Sequence, residues 1–142
     1  MTGRRPRPAS QARPRRPRPR GLTGLDKLAW DMAERGPGGL EEYFASVLRG
    51  LPGPVRAFHD QDSRRNPEGF PDWVVTGRGG ILFAELKREG EEPTPAQSGW
   101  LVMLAKQERP GLMVRVYRPS DRFSGKIARE LVAVSGHGAC RA

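Results

Sequence analysis

Cysteine is almost missing from this sequence: Cys140 stands alone among 142 residues. That excludes a disulfide framework and a Cys-rich zinc module, and it fits a reducing, cytoplasmic setting. Long apolar runs are missing too. The longest, Trp100 to Ala105, has six residues, against the roughly 18 to 20 that a membrane-spanning helix requires, so no membrane partner is expected. Acidic residues are absent from positions 1–21, which hold eight arginines and five prolines. No apolar stretch follows that would serve as a secretory core, and the proline spacing forbids the amphipathic helix of a transit peptide, so a cleaved leader is not expected. The remaining residues carry 17 basic and 16 acidic side chains, so the formal charge of +9 belongs almost wholly to the first 21 residues. A basic nucleic-acid coat spread over the whole domain is thereby excluded.

What is present fits one domain. Residues 1–21 are low-complexity Arg/Pro, unable to bury apolar surface, and are expected to be a disordered tail. Such a cluster attracts phosphate backbones without reading sequence, although a merely solubilising role fits it as well. Residues 22–39 form an additional helix and linker. Leu22, Leu25, Leu28, Ala29 and Met32 follow helical spacing as far as Arg35, and Gly36-Pro37-Gly38-Gly39 ends the segment. From 40 to 49, Leu40, Tyr43, Phe44, Val47 and Leu48 make one helical face. Glu41 borders that face and Glu42 points away from it.

Pro52-Gly53-Pro54 stops this helix, and Val55 to His59 reads as a strand. After a loop over 60–71, two β-rich runs, 73–76 and 81–87, flank Gly77-Arg78-Gly79-Gly80, a hairpin signal. A helix begins at Thr94-Pro95 and runs to about Gln107, a strand covers 112–117, and a last helix spans 120–134, ahead of a frayed tail at 135–142. The order predicts an α/β domain with a mixed central sheet flanked by helices.

The chemistry lies in Phe70-Pro71-Asp72 and, twelve residues on, Glu85-Leu86-Lys87. Side chains alternate along a strand, so Glu85 and Lys87 share a face that Leu86 does not. If 77–80 form the loop, Thr76 pairs with Ile81, Val74 with Phe83 and Asp72 with Glu85. A slip of one residue would remove Asp72 from the cluster. Two carboxylates held that close repel unless a cation lies between them, and hard oxygen donors on adjacent strands suit Mg²⁺. Such an ion would polarise a phosphodiester and acidify a bound water, with Lys87 orienting that water or offsetting charge on the phosphorane. Standing alone, Glu-x-Lys is far more often the solvated face of an edge strand than a site.

It does not stand alone. Glu41-Glu42-Tyr43-Phe44, His59-Asp60-Gln61-Asp62-Ser63-Arg64, Gly69-Phe70-Pro71-Asp72, Ala84-Glu85-Leu86-Lys87, Thr94-Pro95-Ala96-Gln97 with Trp100, and Tyr117-Arg118-Pro119-Ser120-Asp121 occur in order over residues 40–134. In these motifs the chain resembles the VRR-NUC domain of the PD-(D/E)XK nuclease superfamily, in its small standalone phage and bacterial form. The resemblance implies a restriction-endonuclease-like core and a metal-dependent DNA endonuclease, structure-selective in the manner of a Holliday-junction resolvase. Asp72 and Glu85 match the metal-binding acids, Glu41 matches the helix-borne acid that completes the site, and the Leu86 main-chain carbonyl matches a further ligand. Lys87 matches the catalytic lysine, and Gln97 a glutamine facing the site. Mg²⁺, with Mn²⁺ as a substitute, is the implied cofactor, branched DNA the implied partner, and a homodimer the implied assembly.

Gln97 has a second reading, because Thr94-x-x-Gln97 is also a capping box. The face it shares with Trp100, Leu101 and Leu104 must pack on the sheet, which favours the site. Ser63, Arg64 and Arg65 are either contacts to a flanking phosphate or a solvated basic loop. His59 is either a proton shuttle or DNA contact, or a structural histidine. His137 and Cys140 have no second pair of ligands and are assigned nothing. The rival to a nuclease is a non-catalytic nucleic-acid-binding module using the basic tail; a third reading is an interaction protein, with no metal dependence.

Deleting residues 1–21 is expected to weaken DNA binding and to flatten its dependence on salt, read from binding isotherms at several salt concentrations. An unaltered slope would show that the tail touches no phosphate.

Overall fold

The computed structural model describes residues 16–61 and 66–137. The first part of the Arg/Pro segment (1–15), the loop residues Ser63, Arg64 and Arg65, and Cys140 lie outside the described residues. Helix α1 covers Gly24–Asp31 and α2 Leu40–Arg49; strands β1 (Val55–His59), β2 (Trp73–Gly77) and β3 (Gly80–Leu86) follow; then come α3 (Pro95–Ala105), β4 (Leu112–Tyr117), α4 (Pro119–Phe123) and α5 (Lys126–Val134). The protein is α/β: a four-stranded mixed sheet in the order β1-β2-β3-β4, flanked by helices. The pairs β1–β2 and β2–β3 are antiparallel, and β3–β4 is parallel. No described helix is long and apolar enough to cross a membrane.

One face of the sheet carries the main core. Trp73 and Val75 from β2, Leu82, Ala84 and Leu86 from β3 and Tyr117 from β4 pack with Leu40 and Phe44 of α2 and with Ile127, Leu131 and Val134 of α5. The helical periodicity read from the sequence therefore buries the expected side chains of α2 and α5. The opposite face holds the other strand positions, Phe83 and Glu85 among them, with α3 lying against β4.

The hairpin register matches the sequence expectation: Thr76 pairs with Ile81 and Val74 with Phe83. The turn is tighter than expected. Gly77 and Gly80 themselves pair, leaving Arg78-Gly79 at the tip; the register is unchanged because the loop shrinks by one residue on each side. Gly79 is required there, since its amide donates to Val134 O (2.9 Å) and the end of α5 leaves no room for a Cβ.

Three elements differ from expectation. The first helix ends at Asp31 rather than Arg35, because the Met32 backbone is extended (ψ 129°). Its apolar stripe is only partly used: Ala29 is buried and Met32 packs against the core, but Leu25 and Leu28 are exposed. The helix from Pro95 stops at Ala105, two residues short of Gln107. The last helix is two helices, broken where Gly125 takes the left-handed conformation (φ +80°) that starts α5 in a new direction. At the ends of the described chain, Arg18 pairs with Asp31 at 3.0 Å, and Ser135 is buried behind α5.

Candidate active site

Asp72 lies immediately before β2, Glu85 near the end of β3 and Lys87 immediately after it. Because Trp73 pairs with Ala84, the next position outward sets Asp72 against Glu85. Main-chain donors lock the two carboxylates to each other's strands. The Asp72 amide donates to Glu85 Oε2 (3.3 Å), and the Leu86 amide donates to Asp72 Oδ2 (2.8 Å). Lys87 Nζ lies 3.6 Å from Glu85 Oε1, and the Lys87 amide is fixed by Tyr117 O of β4 (2.9 Å).

Gln97 satisfies both readings made of it. Its side-chain carbonyl accepts from the Thr94 amide (2.8 Å) while its own amide donates to Thr94 Oγ1 (3.2 Å), completing the capping box of α3. Its remaining group, Nε2, donates to Glu85 Oε1 at 2.6 Å. The helix start and the carboxylate are thus held by one side chain, whose two ends have opposite hydrogen-bonding character.

Electrostatically this is an expensive place for negative charge. Glu85 is 1% exposed and Lys87 8%. Burial, reinforced by the neighbouring Asp72 charge and opposed by Lys87, pushes the Glu85 carboxyl up to about 8. Burial also raises Asp72, against the Leu86 amide bond and the nearby charges of Arg35 and Lys87. Burial of Glu85 beside the half-buried Asp72 outweighs the opposing charges of Lys87 and Arg35, which is the electrostatic condition for a cation site or a retained proton.

Glu41, on the first turn of α2, turns to other partners. Its Oε2 lies 3.4 Å from Arg35 Nε and its Oε1 lies 3.4 Å from His59 Nε2. His59 stacks on Trp73 (centroids 4.0 Å, planes 2° apart) and exchanges a hydrogen bond with Gln61 (3.1 Å). It stands beside the site, braced by an aromatic ring. Sequence reasoning missed Glu34. That side chain is raised above the ordinary carboxyl range by burial, with Lys87 pulling it down and Asp72 pushing it up, so it belongs to the same charge cluster. The only local signal was a Glu-Arg pair at the chain reversal before the core helix, and it specifies nothing by itself.

For a divalent ion, Asp72 and Glu85 are the fitting donors: hard oxygens, adjacent, and short of compensating charge. Each carboxylate has about four lone-pair positions, so the bonds already made leave capacity for a ligand. Among the described residues no three His, Cys, Asp or Glu side chains are arranged to enclose a metal by themselves. Mg²⁺ needs only one or two carboxylates and retains several waters.

Compared with known proteins, the chain matches no family model, no curated protein and no solved structure.

The raised carboxyl gives a pH prediction. Glu85 titrates near 4.5 when unfolded and near 8 in the fold, so folding favours its protonated form. The stabilisation is complete below about 4.5 and is lost as pH rises through about 8. In EDTA the melting temperature is expected to fall between pH 5 and 9, more steeply for the native protein than for Glu85→Gln. Parallel pH profiles would show that Glu85 is not held in its protonated form.

Proposed function

We propose that the protein is a metal-dependent nuclease of restriction-endonuclease-like architecture, related to VRR-NUC domains, that hydrolyses DNA phosphodiester bonds and prefers branched DNA. The observation that carries the reading is the Asp72–Glu85–Lys87 cluster, in which a buried and a half-buried carboxylate are bonded across adjacent strands with one buried ammonium beside them. A packed core has little use for such an arrangement, since removing ions from water costs several kcal/mol each unless they are well matched.

Asp72 and Glu85 would hold Mg²⁺ or Mn²⁺, with the Leu86 carbonyl and Glu41 as the further ligands that the resemblance implies. The ion supplies a Lewis acid for the phosphodiester and acidifies a water. The protein's own groups do the rest. Lys87 presents positive charge where a phosphorane gains negative charge, and its burial keeps that charge poorly screened. Gln97 fixes the Glu85 carboxylate so that it does not have to reorganise during the reaction. His59, held between Glu41 and Trp73, would contact the nucleic-acid strand from beside the site, and the sequence offers Ser63, Arg64 and Arg65 for a flanking phosphate.

A homodimer is part of the reading, and α3 supports it. Its eleven residues carry no charge, Val102 and Met103 are exposed, and a Cβ at Gly99 would meet nothing. A concavity of about 410 Å³ lined by Glu68, Ala96, Gly99, Trp100 and Met103 lies beside those protruding side chains. Self-complementary surfaces of this kind suit two-fold symmetry. Each copy carries Glu92 ahead of α3 and Lys106 just after it, opposite charges at the two ends of that uncharged helix for an antiparallel pairing. Glu92 is exposed, with Arg118 at 3.3 Å. Sedimentation equilibrium is expected to give twice the 15.7 kDa chain mass for the native protein and the single mass for Met103→Glu. A monomer in both cases would remove the dimer.

The function is tested by incubating labelled four-way junction, flap, duplex and single-stranded DNA with protein in Mg²⁺ or EDTA. Cleavage is expected in Mg²⁺ only, strongest on branched DNA. Asp72→Asn, Glu85→Gln and Lys87→Ala should each lower it by on the order of 10²-fold or more, with folding intact. DNA binding without cleavage by the native protein would establish the binding-module alternative instead.

A further inference from the structure

The segment joining α1 to α2 lies outside the stretch that carries the family resemblance, yet it is built into the site. The Leu40 and Glu41 amides donate to Ala33 O and Glu34 O (each 2.9 Å), and the Gly39 amide donates to Gly36 O (3.0 Å). The segment thereby caps the otherwise unpartnered first turn of α2 with main-chain carbonyls. At its other end, α1 is seated against α4, and the Trp30 ring lies so close to Gly90 that a Cβ there has no room. Arg35 is therefore carried on a braced piece of backbone.

The Arg35 side chain itself is not braced. It is 69% exposed, with Nε 3.4 Å from Glu41 Oε2 and 3.8 Å from Glu34 Oε1. Ion pairs at such exposure are screened by water and hold the side chain only weakly, so they do not account for an arginine placed here. Its surroundings do. Glu34, Glu41 and Asp72 gather carboxyl groups at this end of the sheet, and a polyanionic chain approaching them is repelled wherever they are ionised. Arg35 and Lys87 both act on Asp72 with positive charge. Lys87 is buried against Glu85 at 3.6 Å, whereas Arg35 faces solvent. A guanidinium's five donors in a planar fork grip phosphate oxygens in pairs, and Arg35 gives up only weak carboxylate contacts to do so.

We propose that Arg35 is a substrate-binding residue of the active site, contacting a backbone phosphate next to the one that is cleaved and exchanging its Glu41 contact for that phosphate when nucleic acid binds. This rests on the nuclease reading above. It makes the α1–α2 segment a functional part of the domain and gives the acidic cluster its point of attachment for an anionic chain. Glu41 is released by the same exchange, leaving its carboxylate to His59 and the site.

The test compares native protein, Arg35→Ala and Arg35→Lys on labelled duplex DNA. Binding is measured in EDTA across a salt series, and steady-state cleavage in Mg²⁺. Arg35→Ala is expected to raise KM about tenfold with kcat within about twofold, and to reduce the salt slope of binding by about 0.9, the value for one lost phosphate contact. Arg35→Lys should retain the slope and recover part of the KM. Melting temperatures within about 2 °C of native are expected, because the side chain is exposed. A native-like KM and slope in Arg35→Ala, while the native protein cleaves, would overturn the role of Arg35 and leave the nuclease reading standing. Equal losses of kcat in both variants with KM unchanged would also overturn it, since Arg35 would then act only by positioning Glu41. Failure of the native protein to cleave in Mg²⁺ would overturn the reading beneath it.

Discussion

The structure turns on a carboxylate that the fold removes from water. Glu85 is almost completely buried, and each of its oxygens is claimed: one by the Asp72 amide, the other by Gln97 and Lys87. Placing a charge there costs its hydration, on the sheet face opposite the one that packs against α2 and α5. A fold tolerates such a group only where its partners are fixed in advance. The partners are fixed by regular structure: β2 through the hairpin register, β3 by its own alternation, β4 through the Lys87 amide, and α3 through its N-cap.

This explains why α3 begins where it does. An N-terminal Thr-Pro with a glutamine three residues on is enough to start a helix, but here the glutamine's second end reaches the sheet. Helix start and carboxylate orientation are one constraint, so a change at either is transmitted to the other. On the far side of the site the same economy joins Arg35, Glu41, His59 and Trp73 in a chain of contacts, linking the segment before α2 to the aromatic residue that follows Asp72.

How much of this was legible in the sequence depended on whether a local rule applied. The hairpin was legible because side-chain alternation and the Gly-rich turn together leave one register that keeps Val75 and Leu82 inside. The burial of Leu40, Phe44, Ile127 and Leu131 was legible from helical spacing. For Gln97 the capping box and the face shared with Trp100 were each legible, but as alternatives; that one side chain makes the cap and reaches Glu85 depends on how α3 seats on the sheet. The break at Ser124-Gly125 was hidden because the apolar spacing of α5 continues smoothly back toward Ser120. Glu34 and Arg35 were not legible as site residues. Their place depends on how the linker folds back over the start of α2, a tertiary arrangement with no period or motif behind it. Glu41 was correctly placed on the inner border of its helix, but its contacts with Arg35 and His59 depend on that same fold-back.

The central claim is that the Asp72–Glu85 pair exists to hold a divalent cation. Anomalous diffraction from crystals soaked in Mn²⁺ tests it most directly. The account predicts an anomalous peak about 2.0 to 2.2 Å from oxygens of both carboxylates, absent from Asp72→Asn crystals. Crystals saturated with Mn²⁺ that show no peak there, with Glu85 still bonded only to the Asp72 amide, Gln97 and Lys87, would contradict it.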